Sequence, residues 1–486
     1  MVSVGWQNDL SDHHGFRQTQ TAITSYFLLH NGPLFKYETP VLGPPWSIPF
    51  EFPYYQWIVA RLAQTTGLSL ETAGRLTSEI FFFLTLMVFW GLLSKARVAR
   101  SHRFLFLALI LTSPIYVFWS RTFMIESLAL FFGVFYLFSV VCYLKSPRVS
   151  NVVLAILMGV VGSTSKVTTF ASFFIISGLL LLTNLLKGHH SPAPYRRGLF
   201  PLLILIVPLA ATVLWTEFTD TVKEMHPIGK HLTSTALSKW NFGTFEQKVN
   251  WETWKEFLYR SDLLIGNWWN LGFILLGLAL APKRLAEFLL CAIGFFAPLL
   301  IFTNLHYVHD YYAYANGIFL VVIGFWVVEG LLCARGIKGI IGALIFVSIA
   351  GFSVRTYRNV YFPSQKRAQN AEVVSIGEAI ENKTKPDHAV IVFGLDWTSE
   401  LHYYSKRRGV AWPTWIPEPE VNQELFWKLI NDLGQEKIGA LALCGDFKVK
   451  PFYLKLADAF QFAPVTKFEN SMCSIFLKRE EAHQKS

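Results

Sequence analysis

About ten apolar runs approach the roughly 20 residues that a helix needs to cross a bilayer. They lie near 76–94, 104–119, 123–144, 151–165, 167–186, 199–217, 263–281, 285–303, 314–334 and 338–356. Their connections alternate in charge. The segments "SKARVARSHR" (94–103), "KSPR" (145–148), "KGHHSPAPYRR" (187–197), "PKR" (282–284) and "ARGIK" (334–338) are short and basic, and they are alternate loops. The positive-inside rule places all five in the cytoplasm. The other connections then face outward: 1–75, the "WSRT" and "STSK" corners, 218–262, "NLHYVHDYYAYA" (304–315) and everything after about 357. A soluble multidomain protein would carry about 25% charged residues; this chain of 486 residues has 16%, with 43 Phe and 16 Trp. The formal net charge of +10 is then first a topology signal and second a hint of anionic partners.

The chain changes character after residue 357. "AVIVFGLD" and "IGALALCGD" read as buried strands, and "NAEVVSIGEAIENK", "TSELHYYSKR" and "NQELFWKLINDLGQEK" read as amphipathic helices between them. The expected organisation is an outer first loop with juxtamembrane helices at 1–75, a transmembrane bundle at 76–356 and a small α/β domain at 357–486. The domain has no GxGxxG and no P-loop, so a nucleotide has no support there, and nucleic acid is not an expected partner. Cys142, Cys291 and Cys333 sit in or beside apolar runs, where a thiol is a small apolar filler. Cys444 and Cys473 fall on predicted strands, where a disulfide and two buried thiols both fit. No CxxC or zinc-finger spacing occurs. Asn382-Lys-Thr is a glycosylation triplet of a kind common by chance.

Polar residues gather in the outward segments. The first loop holds Asp9, Asp12, His13, His14, Arg17 and Glu51; the next corners supply Arg121, Glu126 and Lys166; the late loop supplies His306, His309, Asp310, Tyr311 and Tyr312. Ionisable groups at a membrane face are costly unless paired or hydrated, so their gathering on one side points to a site. Taken singly, each fits a surface residue or an interfacial anchor equally well. "EFPYYQWIVARLAQTTG" carries Phe52, Tyr55, Ile58, Val59 and Leu62 at near-helical spacing and suits a helix lying in the interface. Trp240, Trp251, Trp254 and Phe257 repeat that character in 218–262. Such helices either shape a groove for a lipid tail or simply pack on the bundle.

An acid shortly before an arginine in the outer first loop, then "EFPYYQWIVARL", "GRLTSEIFFFL" and "SPIYVFWSRTFMIESLALFF", then the lysine after "GSTS" and the "HDYY" element, resemble the GT-C superfamily of membrane glycosyltransferases. The similarity is to the branch containing protein O-mannosyltransferases and the lipid A aminoarabinose transferase, and it covers nearly the whole chain. The best-known members carry an Asp-Glu pair in this loop; here Asp12 is followed by His13 and His14.

The resemblance implies a polytopic α-helical bundle with an extracytoplasmic α/β domain in a bacterial inner membrane. It also implies sugar transfer from a polyprenyl-phosphate donor to a glycolipid, polysaccharide or protein acceptor outside the cytoplasm, with inversion; a retaining route stays open. Asp12 is the expected general base, with Asp9 as competitor. Arg17, Lys166 and Arg121 are the expected ligands of the donor phosphate. Glu126 orients the acceptor or holds Arg17. His13, His14, Glu51, His306, His309 and Tyr312 line the substrate. Because such enzymes begin with a cytoplasmic N-terminus and a first helix, that helix is expected to be missing from this sequence. No cofactor is expected. A divalent metal on Asp12, His13, His14 and His309 is the lesser alternative, since adjacent histidines on a regular element point apart. From another class, a transporter or flippase for a lipid-linked glycan would carry polar residues at the bilayer midplane and broken helices, and a non-catalytic subunit would survive loss of Asp12.

Overall fold

The computed structural model describes residues 5–187, 198–280, 285–367, 371–468 and 471–478. Most of the basic loop 187–197 and all of 282–284 therefore lie outside the described residues. The chain divides into two compact units.

The first unit comprises Arg75–Thr216 and Thr235–Ser364 with Gly5 and Trp6, and it is helical. The ten apolar runs form helix over their described residues, but among the described residues six helices rather than ten are long and apolar enough to cross a membrane: Leu70–Lys95, Glu126–Lys145, Val167–Leu186, Leu199–Glu224, Asp310–Ala334 and Gly336–Lys366. A seventh span results if Trp251–Ile265 and Trp269–Leu280, bent by 80°, count as one. Val149–Ser165 and Leu285–Ile301 are shorter apolar helices. The run 104–119 breaks at Ser113, because Pro114 lacks the N–H that would continue the ladder and starts a new helix, Pro114–Trp119. The Ser113 hydroxyl donates to the Leu264 carbonyl (2.7 Å) at the break.

Burial ranks these helices. Ala313–Ala334 and Glu126–Lys145 are buried on most sides, while Leu199–Glu224 and Gly336–Arg367 present apolar faces outward, as a helix against lipid must. The core runs from Phe82 and Phe106 through Tyr116, Trp119, Phe173 and Phe319 to Leu331. Close approach depends on small residues, as is usual where lipid competes with packing: a Cβ on Gly133 would lie 2.5 Å from the Phe173 ring.

The second unit comprises Gln7–Gly74, Glu217–Ser234 and the described part of Gln365–Ser486. Its sheet holds β1 (Ala389–Phe393), β2 (Gly409–Ala411), β3 (Ile438–Cys444), β4 (Phe462–Pro464) and β5 (Cys473–Lys478), in the order β2-β1-β3-β5-β4. β1 runs parallel to β2 and β3, and β5 runs antiparallel to β3 and β4. Every residue of β1 and β3 is buried, which is why both read as continuous apolar runs. The helices Glu372–Lys383, Glu400–Ser405 and Gln423–Leu433 match the three amphipathic segments; β2 and β4, three residues each, are too short to show a pattern. Cys444 and Cys473 are joined in a disulfide between β3 and β5.

The first loop is built into this unit. Residues 40–43 run along β2: Gly409 N–H donates to Pro40 O (3.0 Å), Ala411 N–H to Val41 O (2.7 Å) and Gly43 N–H to Gly409 O (2.9 Å). The edge that β2 would expose is thereby covered. His226 fastens the same segment: Ile228 and Gly229 N–H donate to its Nδ1 (3.0 and 2.9 Å), so its Nε2–H donates to Gly43 O (3.0 Å). The juxtamembrane helix forms at Tyr54–Thr66, but its buried stripe is Tyr55, Gln56, Val59, Ala60 and Ala63, while Ile58 and Leu62 are half-buried.

Candidate functional site

The polar residues of the first loop gather at the start of a helix that apolar periodicity does not reveal, Gly15–Leu29. Gln18, Thr19, Gln20, Thr21, Thr24 and Ser25 are all buried in it. The hydroxyls satisfy themselves on the preceding turn: Thr19 donates to Gly15 O (2.8 Å), Thr21 to Arg17 O (3.0 Å) and Ser25 to Thr21 O (3.0 Å). A run of short back-bonding residues is the signal that could have disclosed the helix. His14 precedes it with φ +54°, a left-handed conformation that His adopts more readily than most residues, and its carbonyl accepts from the N–H groups of Arg17 (2.9 Å) and Gln18 (3.1 Å). Gly15 follows, and a Cβ there would meet the Leu10 carbonyl oxygen at 3.0 Å. Burial holds the Glu400 carboxyl above its ordinary range.

Asp12 and Arg17 are held by different partners. The Gln18 amide donates to Asp12 Oδ1 and to His13 O (3.0 Å). The Arg17 guanidinium donates to Glu51 and to Gln20 Oε1. Glu51 is positioned by Tyr37, whose hydroxyl donates to Glu51 O (3.0 Å) and accepts from Phe50 N–H (2.6 Å). Gln20 Nε2 is buried with no hydrogen-bond partner among the described residues. Phe16 and Phe50 meet Trp397 at ring distances of 5.3 and 6.2 Å, which fixes the two sides of this cluster. Gln18, Gln20 and Tyr37 were not among the expected site residues; Gln18 and Gln20 stand in the polar run after Arg17, and all three carry no charge to mark them as site residues.

A second cluster lies in the helical unit. Lys166 is the one extended residue between the helices Val149–Ser165 and Val167–Leu186. The break aims its side chain at Glu126, the first residue of Glu126–Lys145, and Lys166 Nζ donates to Glu126 Oε1. Their side chains are 4% and 2% exposed. The ammonium also faces two rings, 4.4 Å from the centroid of Tyr312 and 5.0 Å from that of Tyr311. Both tyrosines sit in the turn Asp310–Tyr312 that opens Ala313–Ala334. His306 lies 5.6 Å from Tyr312, ring to ring. Arg260 donates to the carbonyls of His306 and Tyr307 and is itself held by Glu256 (3.0 Å). Burial, helped by the charges of Arg260 and Lys166, pushes the His306 imidazole down to about 3, so it is neutral at physiological pH. Glu126 Oε2 and His306 Nε2 are buried with no hydrogen-bond partner among the described residues.

Glu126 therefore holds Lys166, and Glu51 holds Arg17; the sequence had offered Glu126 either to orient the acceptor or to hold Arg17. His309 stacks on Tyr311 at 5.2 Å. Arg121 is fully buried, lies 5.6 Å over the Phe118 ring and donates to Gly5 O (3.3 Å). Arg260 joins the cluster by fold alone, and Tyr311, seen in the sequence only as one of the late loop's polar residues, joins it through its ring. Among the described residues, Asp12, His13 and His14 form no group whose ligand atoms converge.

No protein-family model and no curated protein matches the chain. Solved structures do. ArnT from Cupriavidus metallidurans, in a crystal structure bound to undecaprenyl phosphate, is 14% identical; the match covers 98% of this chain and 96% of that one, with a TM-score of 0.60. The chain has the ArnT fold. This is the fold that the resemblance to the GT-C branch implied, and it spans both compact units. The same ArnT in its apo state is also 14% identical and matches over 95% of this chain and 93% of that one, at a TM-score of 0.48.

Proposed function

We propose that this protein transfers a sugar from a polyprenyl-phosphate-linked donor to an acceptor on the extracytoplasmic side of a bacterial inner membrane. The observation that carries the reading is Lys166: a cation buried among spanning helices, fixed by Glu126 and two tyrosine rings, beside two buried polar atoms that have no hydrogen-bond partner among the described residues. Buried polar groups are nearly always satisfied, so this arrangement suits a lipid-borne ligand that brings a hydroxyl donor to Glu126 and an anionic group to Lys166. The ArnT fold supports the same reading, and that relative was solved with undecaprenyl phosphate.

In the proposed reaction the acceptor oxygen bonds to the anomeric carbon as the bond to the phosphate oxygen breaks. The acceptor proton passes to the Asp12 carboxylate, oriented by Gln18, and the polyprenyl phosphate departs with the bonding electrons. The charge that develops on phosphate needs fixed cations. Lys166 supplies a point charge. Arg17 supplies a planar fork suited to phosphate, held at Glu51 and Gln20. Arg121 adds positive potential. His306, being neutral, acts as a hydrogen-bonding cap, and His13, His14, His309 and Tyr312 contact the sugar or acceptor. The outward orientation draws support from the alternate basic loops and from the Cys444–Cys473 disulfide, a bond that persists in oxidising compartments.

Purified protein given a panel of polyprenyl-phosphate sugars and acceptors tests this. Asp12→Asn should lower transfer by about 10²–10⁴-fold, the usual contribution of a general base; equal turnover removes Asp12 from that role. One feature favours a flippase, the helix pair bent by 80°, since broken helices mark transport sites. Movement of a lipid-linked glycan without sugar transfer, unaffected by Asp12→Asn, would decide for it.

A further inference from the structure

Away from these clusters, a thiol, an imidazole and a carboxylate converge where two helices of the first unit pack. Glu329 and Cys333 stand four residues apart on Ala313–Ala334 and so share one face. His102 comes from the first turn of Arg100–Thr112. Cys333 Sγ lies 3.4 Å from Glu329 Oε1 and 3.9 Å from His102 Nδ1, and His102 Nδ1 lies 3.7 Å from the same Glu329 oxygen. Among the described residues this is the one group of three His, Cys, Asp or Glu whose ligand atoms all lie within 4.8 Å of one another.

We infer that His102, Glu329 and Cys333 form a binding site for a divalent transition-metal ion of the zinc class. Zinc bonds to sulfur, nitrogen and oxygen at about 2.0–2.3 Å; tetrahedral angles then separate the ligand atoms by about 3.3–3.6 Å. The three observed separations match or exceed that range by a few tenths of an ångström, which a side-chain adjustment closes. A histidine–glutamate ion pair explains them less well. Such a pair would bring Nδ1 within about 3 Å of the carboxylate, whereas both other groups here stand around one oxygen, as they would around a shared ion. The donor set also selects the metal: thiolate and imidazole favour borderline and soft ions over magnesium or calcium.

Glu329 is an acid near the end of a spanning helix, and its side chain is 6% exposed. A divalent ion there would add to the interactions that hold its carboxylate and would tie Arg100–Thr112 to Ala313–Ala334. Cys333 is exposed and His102 half-buried, so solutes reach the site. Because the ligands come from two helices more than 200 residues apart, no spacing in the sequence announces the site.

The test uses the full-length protein in detergent, freed of metal by a chelator and carrying no histidine tag. Zinc titrated by calorimetry should bind one equivalent with micromolar or tighter affinity. Cobalt(II) in its place should give tetrahedral d–d bands and a thiolate-to-cobalt charge-transfer band. Cys333→Ser, close to isosteric, should abolish that band and weaken zinc at least tenfold, and Glu329→Gln should weaken zinc while keeping the band. Bound zinc should also protect Cys333 from alkylation, read by mass spectrometry of the labelled peptide. His189→Ala with His190→Ala removes one of the adjacent histidine pairs elsewhere in the sequence and should leave binding unchanged. No micromolar binding, binding unaltered by Cys333→Ser, or binding lost with His189 and His190 would each overturn the assignment.

Discussion

Replacing Glu126 by Gln strands the Lys166 ammonium in the helical core. Both side chains are at least nine-tenths buried, and breaking such a pair costs about 3–5 kcal/mol, because the remaining charge keeps its desolvation penalty. Neutralising the stranded group caps that penalty. For an ordinary lysine at pH 7 the cap is about 4.6 kcal/mol, and for an ordinary glutamate about 3.7 kcal/mol. Glu126→Gln and Lys166→Met should therefore each destabilise by about 3–4 kcal/mol. Glu126→Leu with Lys166→Met removes both charges and should restore stability to within about 1 kcal/mol of wild type. A double-mutant cycle of Glu126→Leu, Lys166→Met and the two together, on unfolding in mixed micelles, measures this, with a coupling energy expected above about 3 kcal/mol. Effects that add to within about 0.5 kcal/mol, the behaviour of independent sites, would refute the coupling. Sugar transfer by the same proteins separates structure from function. If Lys166 holds phosphate, the stable double variant still transfers nothing; a double variant that recovers both would make the pair structural only.

Three other outcomes follow from the second unit. Burial, opposed in part by hydrogen bonds with Val390 and Thr398, pushes His402 down to about 4 from an ordinary 6.5; the stability this lends is complete above about pH 6.5 and declines as pH falls towards 4. At pH 5 about 2 kcal/mol should be gone, visible as faster proteolysis of the domain than at pH 7, and equal rates would contradict it. Replacing Cys444 and Cys473 by Ser opens a 29-residue separation and should cost about 3–4 kcal/mol, read as a lower unfolding temperature that reductant reproduces in wild type. Glu51→Gln releases Arg17 from its half-buried partner and should raise the donor KM about fivefold, the scale of a pair worth about 1 kcal/mol; an unchanged KM would detach Glu51 from donor binding.

The parts of the fold that follow from one-dimensional patterns were legible. Charge alternation located the apolar helices, and unbroken runs located β1 and β3. Patterns failed where the cause is three-dimensional or too short. Pro114 splits a run that hydropathy averages over. The helix Gly15–Leu29 buries threonines and glutamines, so it has no apolar stripe to find. Residues 40–43 join the edge of β2, a pairing across some 370 positions that no local rule anticipates. Of the candidate site, the chemistry-bearing residues were visible as types, but their partners were not. Lys166 and Glu126 are 40 residues apart and Arg17 and Glu51 are 34; only packing decides which acid meets which base. The neutral residues that orient them, Gln18, Gln20 and Tyr37, carry no charge by which to be noticed.

The most direct measurement is binding of undecaprenyl phosphate itself, which does not depend on knowing the sugar. Purified protein in lipid nanodiscs, titrated with the phosphate lipid and with undecaprenol lacking phosphate, should bind the first and discriminate against the second by at least tenfold. Lys166→Met with Glu126→Leu, and separately Arg17→Ala, should erase most of that discrimination. Equal binding of the two lipids by wild type, or full discrimination in both variants, would contradict the proposed phosphate-binding roles of Lys166 and Arg17.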